Sequence, residues 1–150
     1  MKKYLLLCIA FLLILSACGQ TKPKAPELPK TEFDLFYEEF QTAVSNQDMD
    51  FIEGLVDDDT STMFGRGPAP FQEHWEYENE HNGRDIWTVL EELTALGGVH
   101  FEPGEYYEGA GECFVAPYTF FEENFKPDSY RMCIMKKDSG WKLLFLMTGE

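Results

Sequence analysis

An α+β domain, with amphipathic helices packed on a curved antiparallel sheet that follows them, is the fold this sequence predicts. Three observations predict it. Apolar residues recur at helical spacing early in the chain, as in Phe33, Phe36, Tyr37, Phe40 and Val44. Runs rich in β-branched and aromatic residues come later, ending at residues 130–136 and 141–147 around the turn Lys137-Asp138-Ser139-Gly140. Helices grouped before strands are the α+β order, whereas strict alternation would argue a parallel sheet.

Taken in order, Thr31-Glu32-Phe33-Asp34 opens the first helix as a capping box does, with a hydroxyl and a carboxylate three residues apart to satisfy free backbone N–H groups. Asn46 and Gln47 break that helix. Asp48 caps a shorter one with the stripe Phe51, Ile52, Leu55 and Val56, so the two form a helical hairpin. Glycines and prolines between positions 65 and 70 read as a loop. A third helix is predicted from about residue 84 to 96, on Ile86, Val89, Leu90, Leu93 and Leu96, with Gly97 as its C-cap. Strands are read at 99–101, continuing weakly to 107, then at 112–121, 130–136 and 141–147. In the last, Trp141, Leu143, Phe145 and Met147 alternate with Lys142, Leu144 and Leu146. Such a strand is apolar on both faces and belongs at the centre of a sheet, or under cover on both sides.

Ahead of the domain, Lys2 and Lys3 precede the apolar run from Tyr4 to Leu15, shorter than the roughly 20 residues a membrane-spanning helix needs. The run closes on Leu15-Ser16-Ala17-Cys18, which resembles the lipobox of bacterial lipoprotein precursors. The resemblance implies a signal peptide over residues 1–17, cleavage before Cys18, and a thioether-linked lipid on that cysteine. Each buried acyl methylene contributes about 0.8 kcal/mol, so several chains make a lasting anchor. The address implied is the cell envelope. Gly19 stands where an aspartate would signal inner-membrane retention, so in a Gram-negative cell the resemblance implies the outer membrane, facing the periplasm. Residues 18–30 carry Pro23, Pro26 and Pro29 and are read as an extended tether, eleven residues from Gln20 reaching roughly 34 Å.

Residues 31–150 are then one domain, near the commonest domain size. Cleavage would remove two lysines and no acid, taking the net charge from −15 to −17. That balance argues against nucleic acid and anionic lipid surfaces, where affinity rests on Lys and Arg. It suits a soluble surface or a basic protein partner.

The stretch from Phe40 to Asp59, F-x-x-A-V-x-N-x-D-x-D-F-I-x-x-L-V-D-D-D, resembles the opening helices of NTF2-like domains, the cone-shaped α+β family. Gly83-Arg84-Asp85-Ile86 and Gly140-Trp141-Lys142-Leu143 resemble that family's third-helix start and last strand. The resemblance implies a scaffold that hosts isomerases, dehydratases, adaptors and orphan lipoproteins. In its steroid-isomerase members a general-base aspartate follows the acid pair that closes the second helix. Setting that pair on Asp57 and Asp58 puts Met63 at the base position and Phe64 at the following proline, and a thioether accepts no proton. We therefore expect no catalytic residue of that kind.

Other chemistry is thin. His74, Glu78 and His81 lie four and three residues apart, spacing that would line up two imidazoles and a carboxylate on one helical face for zinc. The acid-rich segment around them reads more simply as a polar loop. Asp57-Asp58-Asp59 departs from a calcium loop, with Thr62 at the sixth place and Pro68 at the twelfth. We expect neither metal nor cofactor. No G-x-S-x-G or phosphate loop occurs, and His100, between Val99 and Phe101, reads as a strand histidine. Cys113 and Cys133 lie in strands expected to be neighbours and are a candidate disulfide. A loop over 122–129 would, however, offset them by about five residues, roughly 17 Å, which favours free thiols. Phe114, Tyr118, Tyr130, Trp141 and Phe145 are the candidate lining of an apolar pocket. The function expected is an envelope lipoprotein that binds an apolar ligand or a protein. A small cone-fold enzyme of isomerase or hydrolase type, or an acidic inhibitor or immunity protein for a basic partner, is the alternative.

Overall fold

The computed structural model describes residues 29–122 and 129–148. The predicted signal segment, Cys18 and the tether as far as residue 28 lie outside the described residues. Helix α1 (Glu32–Asn46) begins with a reciprocal cap: the Thr31 hydroxyl accepts the Asp34 N–H at 3.1 Å, and the Asp34 carboxylate accepts the Thr31 N–H at 2.8 Å. It ends where Gln47 takes the left-handed conformation. Asp48 caps α2 (Met49–Leu55) by accepting the Phe51 N–H. A tight hairpin of β1 (Ser61–Thr62) and β2 (Gly65–Arg66) follows, then α3 (Pro68–Tyr77), which runs into a π-helical turn, Glu78–Asn82. Helix α4 (Ile86–Leu96) is capped by Asp85 and stopped by Gly97 at φ 67°. The remaining elements are β3 (Val99–Phe101), β4 (Cys113–Ala116), a 3₁₀ turn at Tyr118–Phe121, β5 (Tyr130–Lys137) and β6 (Gly140–Thr148).

The α+β class, the capped helices and the final hairpin agree with the sequence reading, and three details differ. The loop read at 65–70 and the polar loop read around His74 fall instead in the β1–β2 hairpin and in α3 with its π-helical turn. The buried side of α3 and its π-helical extension is Phe71, His74 and Glu78, which is helical spacing with two polar residues in it, so apolar periodicity does not register it. The strands expected to continue weakly to 107 and over 112–121 stop at Phe101 and at Ala116, the second because Pro117 has no N–H for the ladder and the chain turns into the 3₁₀ segment. Lastly, the sheet is not wholly antiparallel. Its order is β2-β1-β6-β5-β4-β3, curved and unclosed, with β1 parallel to β6 and the other pairs antiparallel.

Strand β6 is interior to the sheet, as its two apolar faces require. Trp141, Leu143 and Leu146 face the helices together with Phe114, Tyr130, Met132 and Ile134. Leu144 and Phe145 face the other way, onto Cys113, Val115, Cys133 and Met135. The register explains the switch: Ile134 pairs with Leu143 and Cys133 with Phe145, so Leu144 is an extra residue in β6, a β-bulge. The helices cover one face. On the other, Ala110, Tyr106 and Phe120, from the segments flanking β4, cover the β3-β4-β5 half. Gly98 permits the close approach beneath, since a Cβ there would lie 2.3 Å from the Val115 carbonyl oxygen.

Thr60 joins the helical hairpin to this bulge. Completely buried, it donates its hydroxyl to the Leu143 carbonyl at 2.6 Å and accepts the Asp57 N–H at 2.9 Å. Thr60→Val keeps the shape and strands both groups, which should cost about 1–3 kcal/mol. Urea unfolding measures it, and a variant as stable as the parent would show that the bulge needs no such anchor.

Candidate functional site

The bulge that turns Phe145 outward also places it in a row across the sheet. Cys133 pairs with Phe145, Phe145 with Ser61, and Ser61 with Arg66, and laterally paired residues project from the same face. The inner end of the row is sealed, with Cys133 completely buried. The outer end is open. There a groove of about 500 Å³ runs over Leu144, Phe145, Met135 and Met147, walled by the half-exposed ring of Tyr107 and rimmed by Arg66, Lys137 and Asp59. The Tyr107 hydroxyl donates to the Met135 sulfur at 3.9 Å, which holds the wall to the floor.

The rim charges differ in their engagement. Lys137 donates to Asp57 at 2.9 Å and to Asp59 at 3.1 Å. Partial burial opposes ionisation of Asp57, but the Lys137 ammonium and the Asp59 N–H prevail and hold its carboxyl below the usual range. The three consecutive acids are thus a turn tied to the β5–β6 hairpin. Arg66, exposed on the edge strand, has no hydrogen-bond or ion-pair partner among the described residues.

A second cluster sits at the junction of α3, the π-helical turn and β5. His74 and Glu78 are 3% and 5% exposed, the only buried histidine and the only buried carboxylate among the described residues. His74 Nε2 lies 3.5 Å from the Tyr130 hydroxyl and 3.9 Å from Glu78 Oε1, and Asn82 donates to Glu78 Oε2 at 2.9 Å. Tyr130 donating to Glu78 and accepting from Nε2–H would satisfy all three groups. Burial lowers the His74 pKa, with Glu78 pulling the other way. Burial first, then the Glu78 carboxylate, raises that of Tyr130. The rings of Phe64 and Tyr130 flank His74 at 5.5 and 6.1 Å between centroids. This is a neutral imidazole closed in by aromatics, a polar key between helix and sheet.

The other residues singled out in the sequence fall as follows. His81 does not join His74 and Glu78: the widened π turn carries it to the surface, where it stacks on Tyr77 at 4.2 Å. Phe114, Tyr130 and Trp141 share the helix-facing side, where Trp141 stacks on Phe36 at 4.9 Å. Phe145 is on the opposite side, and Tyr118 is half-exposed in the 3₁₀ turn. The five are therefore not one lining. His100 stacks on Phe33 at 4.3 Å with Nε2 2.9 Å from Glu112. Met63 and Phe64 form the exposed turn of the β1–β2 hairpin. Cys113 and Cys133 are buried free thiols. Cys113 faces Met135, so the cysteines are two residues out of register and not five. At such a diagonal the Cα atoms stand about 7–8 Å apart, wider than the roughly 4.4–6.8 Å of a disulfide. Sequence reasoning missed Ser61 and Arg66, because two-residue strands carry no periodicity and the glycines at 65 and 67 mark only a turn, and Tyr107, because it lies in an irregular segment beyond β3.

No family model, curated protein or solved structure matches this chain.

Since folding keeps His74 neutral, below pH 6.5 the unfolded chain takes up a proton that the native chain refuses. Its share of the stability is complete above that pH and is lost as the pH falls toward the lowered native value. Over about pH 7.5 to about pH 5.5, His74→Gln should lose less stability in urea unfolding than the parent. Equal losses would show that His74 takes up its proton in the fold as readily as in the unfolded chain.

Proposed function

We propose that this protein is a lipid-anchored binding module of the bacterial cell envelope, held to a membrane through Cys18 and carrying an NTF2-like domain whose open sheet face binds an apolar ligand. The anchor reading is supported by Lys2 and Lys3, the short apolar run and the Leu15-Ser16-Ala17-Cys18 motif. The fold reading is supported by the order of elements. A first helix ends at Asn46, a second closes just before Asp57, α4 starts after Asp85, and the last strand starts at Gly140.

The observation that carries the binding reading is the groove over Phe145 and Leu144. It is concave and floored by apolar side chains, as ligand sites are, and its thioethers adapt to irregular shapes. The helix-facing aromatics, by contrast, are engaged with one another. Trp141 packs against Phe33 and Phe36, and Phe114 against Phe33 and Tyr37.

Two measurements test this. Cys18→Ala should move the protein from the membrane pellet to the supernatant of a carbonate wash, and retention in the pellet would refute the anchor. The uncharged dye Nile red should bind with a saturable rise in emission and stabilise the fold, by about 2.7 kcal/mol at a hundred times its dissociation constant. Phe145→Ser and the surface change Tyr107→Ser should both weaken it. Binding unchanged in both variants would remove the groove from the reading.

A further inference from the structure

We propose that the ligand is a medium-chain fatty acid, its acyl chain laid across the strands on Phe145 and Leu144 and its carboxylate held by Arg66. The inference rests on the groove being a binding site and goes further by naming the class of ligand. It follows from the row that crosses the sheet. Phe145, Ser61 and Arg66 are successive lateral partners on one face, so the apolar floor leads directly to a cation at the sheet edge. Strands are spaced about 4.8 Å apart, which puts Arg66 about 10 Å from the Phe145 position and about 14 Å from the β5 strand that carries Met135. An extended acyl chain of that reach has its polar end at the guanidinium and its methyl end between Met135 and Tyr107.

Charge selects the head group. Lys137, the other cation of the rim, is occupied by Asp57 and Asp59, while Arg66 has no partner among the described residues. A guanidinium takes a carboxylate in a two-point, charge-assisted hydrogen bond that a hydroxyl cannot match. Asp59 on the rim is neutralised by Lys137, and elsewhere the surface is acidic, at net −15 over the chain. Its repulsion of an anion is screened beyond about 8 Å at physiological ionic strength, so the carboxylate is tolerated beside Arg66 and disfavoured across the rest of the domain. Ser61, between floor and cation, offers a hydroxyl to the same head group.

The test uses the full chain carrying Cys18→Ser, so that no lipid of its own competes. Dodecanoate, kept below its micelle-forming concentration, and dodecanol are titrated separately by calorimetry. Dodecanoate should bind one to one and about ten-fold or more tighter than dodecanol, as one charge-assisted contact implies. Arg66→Gln should bring dodecanoate to the level of dodecanol and leave dodecanol unchanged. Equal affinities in the parent, or dodecanoate binding indifferent to Arg66→Gln, overturn the fatty-acid assignment while the groove reading stands on Nile red. Failure of both titrants and of Nile red overturns both. A chain that takes no dodecanoate, sediments as a dimer and becomes a monomer on Phe145→Lys assigns the groove to a second copy and also overturns the proposal.

Discussion

Most of this domain is organised by the need to cover both faces of β6. A strand with apolar side chains on each side loses stability wherever water reaches it, and here it lies between β1 and β5 under a full layer on the helix side and a partial one on the other. The bulge at Leu144 makes the double coverage workable. It lets Leu143 and Leu146 point to the helices while two successive residues, Leu144 and Phe145, point away. Without the bulge the alternation begun at Trp141 would put Phe145 into the aromatic layer already filled by Phe33, Phe36 and Trp141. Thr60, bonded to the carbonyl of Leu143, ties the irregular point to the start of β1.

The same constraint explains why the two faces differ in openness. On the helix side, α1 and α4 supply enough aromatic and branched side chains to close the layer. On the other side, cover comes from short segments around β4, and it runs out before it reaches the β6-β1-β2 edge. β1 and β2 are two residues long, which keeps the unpaired edge short and brings Arg66 close to the exposed end of the core. The groove is therefore the unfinished margin of a core that is closed elsewhere.

Polar groups serve as connectors in both layers. His74, Glu78 and Tyr130 form a small buried network, dearer to leave unpaired than to keep, and it fixes the rotation of α3 against β5. Lys137 does a comparable job at the surface by clamping the acids at 57 and 59 to the hairpin turn. Both depend on residues more than 50 positions apart: the buried one satisfies its carboxylate with neutral hydrogen-bonding groups, and the surface one matches charge with charge.

Several features were legible in the sequence because they depend on neighbours in the chain. The capping box at Thr31 and Asp34, the Asp48 and Asp85 caps and the Gly97 stop follow from the backbone's need to satisfy its own helix ends. The double-faced pattern of residues 141–147 foretold a strand interior to the sheet. Residues 71–78 were not legible, since His74 and Glu78 take core positions only because Tyr130 meets them there. Nor was the side to which Phe145 points: a bulge shifts the period of two by one residue, and only pairing with β5 shows where. The Cys113–Cys133 offset, the parallel β1–β6 contact and the alignment of Arg66 with Phe145 across Ser61 are all questions of register. Register is set by how two distant segments pack and not by either segment's composition, which is why the tertiary structure alone decided them.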